Sequence, residues 1–147
     1  MSSARAAHNH FLQDHPGLLR RLYEDFYRDH QEYQAADAAA TNFRPVFARD
    51  SRGLRSRFNA RHIVRGYEKT GRVLDEAGRQ AVRLMDEFLG DPANRLDRWL
   101  EPGQIQLLNN RVIVHGRTAY EDHAEPERRR HLVRLWLRAG ARRQFRG

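Results

Sequence analysis

The sequence predicts a mixed α+β fold, helical early in the chain and made of short strands towards its end. Three observations carry that prediction. Residues 75–89 repeat Ala77, Ala81, Leu84, Met85 and Phe88 at the spacing of one helix face. Residues 43–59 read as a hairpin, with an apolar run through Pro45 to Phe47, an Asp50-Ser51-Arg52-Gly53 turn and an alternating return from Leu54 to Phe58. Beyond Leu96 the apolar period changes from that of a helix to that of strands. Helices followed by short strands describe a fold in which an antiparallel sheet carries the functional residues. The 147 residues fit one domain, without internal repeat or low-complexity tract.

Taken in order, residues 4–23 read as two short helices. The second begins at Pro16, with Asp14 as its cap, because aspartate at a helix start and proline just inside it satisfy or dispense with orphan N–H groups. Phe26 to His30 includes one strand, and residues 35–42 form a loop or a short alanine-rich helix. Residues 60–72 carry His62, Ile63 and Tyr67 and end in Thr70-Gly71. Asp75 caps the clearest helix, which Gly90-Asp91-Pro92 stops. Leu96, Trp99 and Leu100 lead to a Pro102-Gly103 turn. A strand over Ile105 to Leu108, an Asn109-Asn110 turn and a strand over Val112 to Val114 follow. After a charged connection, His131 to Leu137 is the last strand. Phe43, Phe47, Phe58, Trp99 and Trp136 are read as core.

Composition narrows the function classes. There is no cysteine, so disulfides and thiolate metal sites are excluded. The N-terminus lacks the apolar run of a signal peptide, and nothing approaches 18 apolar residues, so a cytoplasmic protein with no membrane partner is expected. The formal charge is +8, and Lys69 is the only lysine. Arginine binds carboxylates and phosphates through a fork of donors. The charge permits contact with nucleic acid, but no recognisable module interleaves the arginines with aromatics, so a basic nucleic-acid-binding module is a minor reading. Phosphate-loop, HExxH, GxSxG and EF-hand patterns are absent from the chain.

The residues that carry chemistry lie in the last third. His115 leaves what reads as a buried strand, Val112 to Val114, and Gly116 follows it. A strand end fixes an imidazole well enough to hold iron, zinc, copper or nickel; a structural histidine with a satisfied hydrogen bond is the other reading. Arg130 and Arg134 are four apart, on one side of a strand. Inside LVRLWL a charge is costly unless paired, so Arg134 either clamps an anion or pairs with an acid, and Arg130 belongs to a run that looks solvated. Asn109-Asn110 is expected to form a turn whose amides cap local backbone. His8 and His10 point apart on a helix, and His123–Glu125 has a ligand-pair spacing inside a polar loop.

With those residues in hand, the chain resembles the taurine dioxygenase-like (TauD/TfdA) family of non-haem iron(II), 2-oxoglutarate-dependent dioxygenases. PGQIQLLNNRVIVHGRTAYED followed by RRRHLVRLWL carries the likeness. Ser2-Ser3, Ala7-His8-Asn9 and the hairpin PVFARDSRGLRSRF agree with it. The resemblance covers nearly all of residues 1–147, and corresponds to the C-terminal half of a family domain. It implies a mostly β fold, a partial double-stranded β-helix (a jelly roll of the clavaminate synthase-like kind) with flanking helices. It also implies that His115 is the distal iron ligand, that Arg130 binds the far carboxylate of 2-oxoglutarate, and that Arg134 lies near a substrate or cosubstrate anion.

The chain departs from the family in its first two ligands, a His-x-Asp or His-x-Glu pair. No His-x-Asp occurs, and His123–Glu125 lies on the wrong side of His115. The expectation is therefore a hydroxylase of a small anionic substrate that is incomplete as this chain. The alternatives are an inactive truncated fragment, or one subunit completed by a separately encoded N-terminal half or by a homo-oligomer. Without its other half a jelly roll exposes strand edges and apolar faces, so a marginal, adhesive polypeptide is expected.

Overall fold

A computed structural model of the chain describes residues 1–30, 40–135 and 137. Clustering of contacts divides it into two compact units, Met1–Gly116 and Arg117–Gly147.

The first unit opens with strand β1 (Ser2–Ser3) and helix α1 (Ala4–Asp14). Ser3 caps α1 by accepting from the Ala6 amide at 3.2 Å. Helix α2 (Pro16–Leu22) begins as expected at Pro16, but Asp14 is not its cap. Asp14 is instead the last residue of α1, ion-paired to His10 at 2.8 Å, and His15 holds the cap position without a side-chain bond. Proline at the first helical position has no amide to satisfy, so this start tolerates the missing cap.

Strands β2 (Asp25–Asp29) and β3 (Thr41–Pro45) pair antiparallel, with Phe26 opposite Arg44 and Arg28 opposite Asn42. The expected hairpin is present as β4 (Phe47–Asp50) and β5 (Gly53–Ser56). Its turn is closed by the Arg52 amide on Asp50 Oδ1 at 2.9 Å and by Gly53, whose φ of 95° suits glycine. Helix α3 (Ala60–Thr70) was not assigned from the sequence. Both its ends are written there: Asn59 accepts from the His62 amide at 3.0 Å, and Gly71 is left-handed with φ 63°. It crosses β2 so closely that a Cβ at Gly66 would stand 2.5 Å from backbone atoms of Tyr27 and Arg28.

Helix α4 (Glu76–Gly90) fits its prediction, with Asp75 accepting from the Gly78 amide at 2.8 Å. Arg21 binds the same carboxylate at 2.8 Å and ties α2 to α4. A 3-10 helix (Pro92–Asn94) follows, and β6 (Ile113–Val114) pairs antiparallel with β1. The core is made by Phe11, Leu22, Phe26, Phe47, Ile63 and Met85, all fully buried, with Val114 packed partly against it.

Several expectations fail beyond Arg95. Ile105 to Leu108 forms no strand, and Ile105 is 86% exposed. His131 to Leu137 forms no strand over its described residues, where Leu132, Val133, Leu135 and Leu137 are exposed. Trp99 is 91% exposed rather than core, and Phe43 is half exposed. Phe47 and Phe58 do join the core, and Trp136 lies outside the described residues. The 35–42 expectation falls mostly outside them too, except that Thr41 and Asn42 begin β3. The physical reason is common to the failures: an alternating segment becomes a strand only when a neighbour takes its N–H and C=O groups. Among the described residues there are three separate two-stranded sheets and no closed barrel. No described helix is long and apolar enough to cross a membrane.

Candidate active site

The approach to His115 is anchored at several points. The Asn109 carbonyl accepts from the amides of Val112 and Ile113 at 3.1 and 3.0 Å, and Asn109 Oδ1 accepts from the Arg111 amide at 3.1 Å. The turn expected at Asn109-Asn110 therefore exists, and Asn109 makes its bonds. Arg111 binds both oxygens of Asp50 at 2.7 Å, which holds that carboxyl below its ordinary range. The Arg111 carbonyl takes the Ser56 amide at 2.7 Å, and the Val112 carbonyl takes that of Ala4 at 2.9 Å. These bonds fix β6 beside β1 and set where the chain leaves at His115.

The strand before His115 is half-buried, not buried, and His115 itself is exposed. It engages other groups of the protein. A Cβ at Gly116 would meet nothing within 4 Å, so the exit does not require glycine. Two-stranded pairing explains the exposure, since β6 has β1 on one side and no further strand beyond it among the described residues.

Arg130 and Arg134 belong to the second unit and are exposed. The cost expected for a buried Arg134 does not arise, because residues 132–135 form no strand and are exposed. The Arg130 amide donates to Asp122 Oδ1 at 2.9 Å, and its guanidinium lies 5.4 Å from the centre of the Tyr120 ring. Arg117 is 5.0 Å from the same ring and donates to the Tyr120 hydroxyl at 3.3 Å. Arg129 closes the intervening loop on the carbonyls of His123 and Ala124, beside a 3-10 helix (Pro126–Arg128). Within this unit Arg117 and Arg130 both lie against the Tyr120 ring, on a polar loop.

His115 and the two arginines thus fall in different units. Among the described residues no three His, Asp or Glu side chains are grouped to hold a metal. His123 and Glu125 are exposed, in keeping with a solvated turn. A second His-x-Glu, His30-Gln31-Glu32, was overlooked in the sequence; His30 follows β2, and Glu32 lies outside the described residues.

Two of the buried polar side chains are His8, read in the sequence only as half of a His-x-His pair, and Arg28, not singled out there. His8 is buried, with Nε2 2.9 Å from the Tyr23 hydroxyl and its ring edge-on to Phe47 at 5.2 Å. Burial pushes its pKa down. Its spacing with Ala4, Ala7 and Phe11 on one helix face was the available signal. Arg28 is buried on β2, two residues after buried Phe26, and alternation with Phe26 announced that it faces inward.

The sequence pattern of the taurine catabolism dioxygenase TauD, TfdA family matches residues 1–136. FR-33289 synthase of Streptomyces rubellomurinus is 30% identical over 148 aligned positions, covering 99% of this chain and 44% of that protein. Uridine-5'-phosphate dioxygenase of an Amycolatopsis species is 43% identical over 56 residues, 38% of this chain and 20% of that protein. The chain spans less than half the length of either relative.

Proposed function

The chain belongs to the taurine catabolism dioxygenase TauD, TfdA family, and from that membership we propose that it forms the C-terminal side of an iron(II)- and 2-oxoglutarate-dependent dioxygenase site. His115 provides one metal ligand, and Arg130 and Arg134 bind carboxylate or substrate anion. The observation that carries this reading is the family match through residue 136, which takes in all three residues. A relative named for uridine-5'-phosphate agrees with a small anionic substrate.

The described residues supply one candidate ligand rather than a set of three, so by themselves they do not fit an iron centre. No reaction step is assigned to it alone. The remaining ligands come from polypeptide outside these 147 residues, either continuous with them or separate. The exposed apolar side chains of Trp99, Ile105 and Leu107 favour that arrangement, because they lie ready for burial by another surface.

The test joins this chain to the part of FR-33289 synthase that the alignment leaves uncovered. Iron(II) and 2-oxoglutarate are then added without oxygen, and the visible charge-transfer absorption is followed. The joined protein is expected to show the band, the 147-residue chain alone to lack it, and His115→Ala in the joined protein to abolish it. Tight binding of one iron by the chain alone, or a band indifferent to His115→Ala, overturns the reading.

A further inference from the structure

Arg28, the fourth residue of β2, keeps only 5% of its surface exposed. Its Nη2 donates to the carbonyls of Arg57 and Pro45, and its Nε is buried without a hydrogen-bond partner. Carbonyl oxygens carry partial charge only, whereas a guanidinium withdrawn from water requires full hydrogen bonding and a counter-charge. Among the described residues no carboxylate forms an ion pair with Arg28. The adjacent Asp29 is taken by Lys69 at 2.5 Å.

Two more cations meet at the same place. Arg44 is opposite Phe26 in the β2–β3 register, and Arg28 follows Phe26 by two residues. Arg28 and Arg44 are therefore diagonal neighbours on one face of the pair, where like charges repel. Arg57, an exposed residue just beyond β5, gives Arg28 its carbonyl. Burial, then Arg57, then Arg44 lower the Arg28 pKa to about 10. Arg44 and Arg57 also engage other groups, and the demand for an anion comes from Arg28. A buried unsatisfied donor within a cationic cluster is the kind of site that an ion completes.

We propose that Arg28, Arg44 and Arg57 form a binding site for a small tetrahedral oxyanion, either phosphate or the phosphate group of a phosphomonoester. Arg28 donates to the anion through its unpartnered Nε, and Arg44 and Arg57 close on its remaining oxygens. Three guanidinium groups from three chain segments suit a tetrahedral oxyanion better than a carboxylate, which has only two oxygens to share among them. The site does not depend on the dioxygenase reading, since none of its residues belongs to that set.

Thermal unfolding of the full chain tests it, in inorganic phosphate, in glycerol phosphate and in chloride at matched ionic strength. Phosphate at about ten times its Kd is expected to raise the Tm by roughly 3–6 °C over chloride. Arg44→Gln and Arg57→Gln each reduce that rise, and together they remove it. These positions are chosen because Arg28→Gln risks unfolding the chain. A larger rise with glycerol phosphate assigns the site to an ester, and an equal rise assigns it to the free ion. No rise beyond chloride, or a rise that survives the double substitution, overturns the proposal.

Discussion

Residues 4–94 and residues 95–137 differ in where their apolar side chains find partners. The earlier region supplies the whole fully buried core, from Phe11 to Met85. The later region contributes Val114 at the edge of that core and leaves Leu96, Trp99, Ile105, Leu107 and Leu135 exposed. Both regions carry strong apolar patterns. What separates them is whether the partner surface is within the described chain. α1, α2, α3 and α4 make their backbone bonds internally and need only side-chain contacts to be held. A strand at 105–108 needs a second strand for its backbone as well. The region that carries His115, Arg130 and Arg134 is thus the one whose apolar side chains stay exposed among the described residues.

The largest break in the comparison comes from the core. Phe47→Ala removes a fully buried ring that packs against His8 and Tyr23. It is expected to cost about 3–5 kcal/mol in urea unfolding, enough to abolish folding of a marginal chain. Asp75→Ala ranks next. It removes the α4 cap and the carboxylate that Arg21 holds, for a loss of about 1–2 kcal/mol. Arg21 also lowers the Asp75 pKa. With the folded pKa depressed, this contribution is full above about pH 4 and is lost as pH falls through the folded value. Asp75→Asn is therefore expected to flatten the acid limb of the stability profile.

His8 gives a smaller, directional effect. Its folded pKa lies below the ordinary 6.5 because it is buried; a hydrogen bond to Asn9 opposes that lowering and Arg49 adds to it. Its other neighbours are the Tyr23 hydroxyl and the Phe47 ring. The unfolded chain then binds the proton more tightly. Stability is unaffected well above pH 6.5 and declines as pH falls from there towards the folded pKa. Urea midpoints between pH 7.5 and 5 should fall in the wild type and stay flatter in His8→Gln. Trp99→Ala is the smallest change, within about 0.5 kcal/mol despite the size of the side chain, because the ring is exposed. A loss like that of Phe47→Ala would mean that Trp99 is buried in solution.

The contrast also explains what could be read from the sequence. α1, α2, α4 and the β4–β5 hairpin were legible because their signals are local: Pro16, the Asp75 cap and the turn ending at Gly53. α3 was equally local, between Asn59 and Gly71, and its caps went unread. The strand-like patterns around Ile105 and Leu132 were legible as patterns, but pairing depends on a partner strand that no local signal reveals. His115 and the two arginines were singled out by their place at a strand-like end and around an apolar run, and the family resemblance then implied roles for them. The burial assumed for His115's strand and for Arg134 rested on sheet packing that the described residues do not contain. Arg28 and the burial of His8 went unread because single inward-facing polar residues interrupt an apolar face without altering its period.

Native-state hydrogen exchange on the 147-residue chain tests the central contrast most directly. Amides of α1, α4 and β2 are expected to be protected to the limit set by global unfolding. Those of residues 104–108 and 131–135 are expected to exchange near unprotected rates, and to become protected once the complementary part of a relative is joined to the chain. Protection of residues 104–108 and 131–135 in the chain alone, equal to that of α1, would contradict the account.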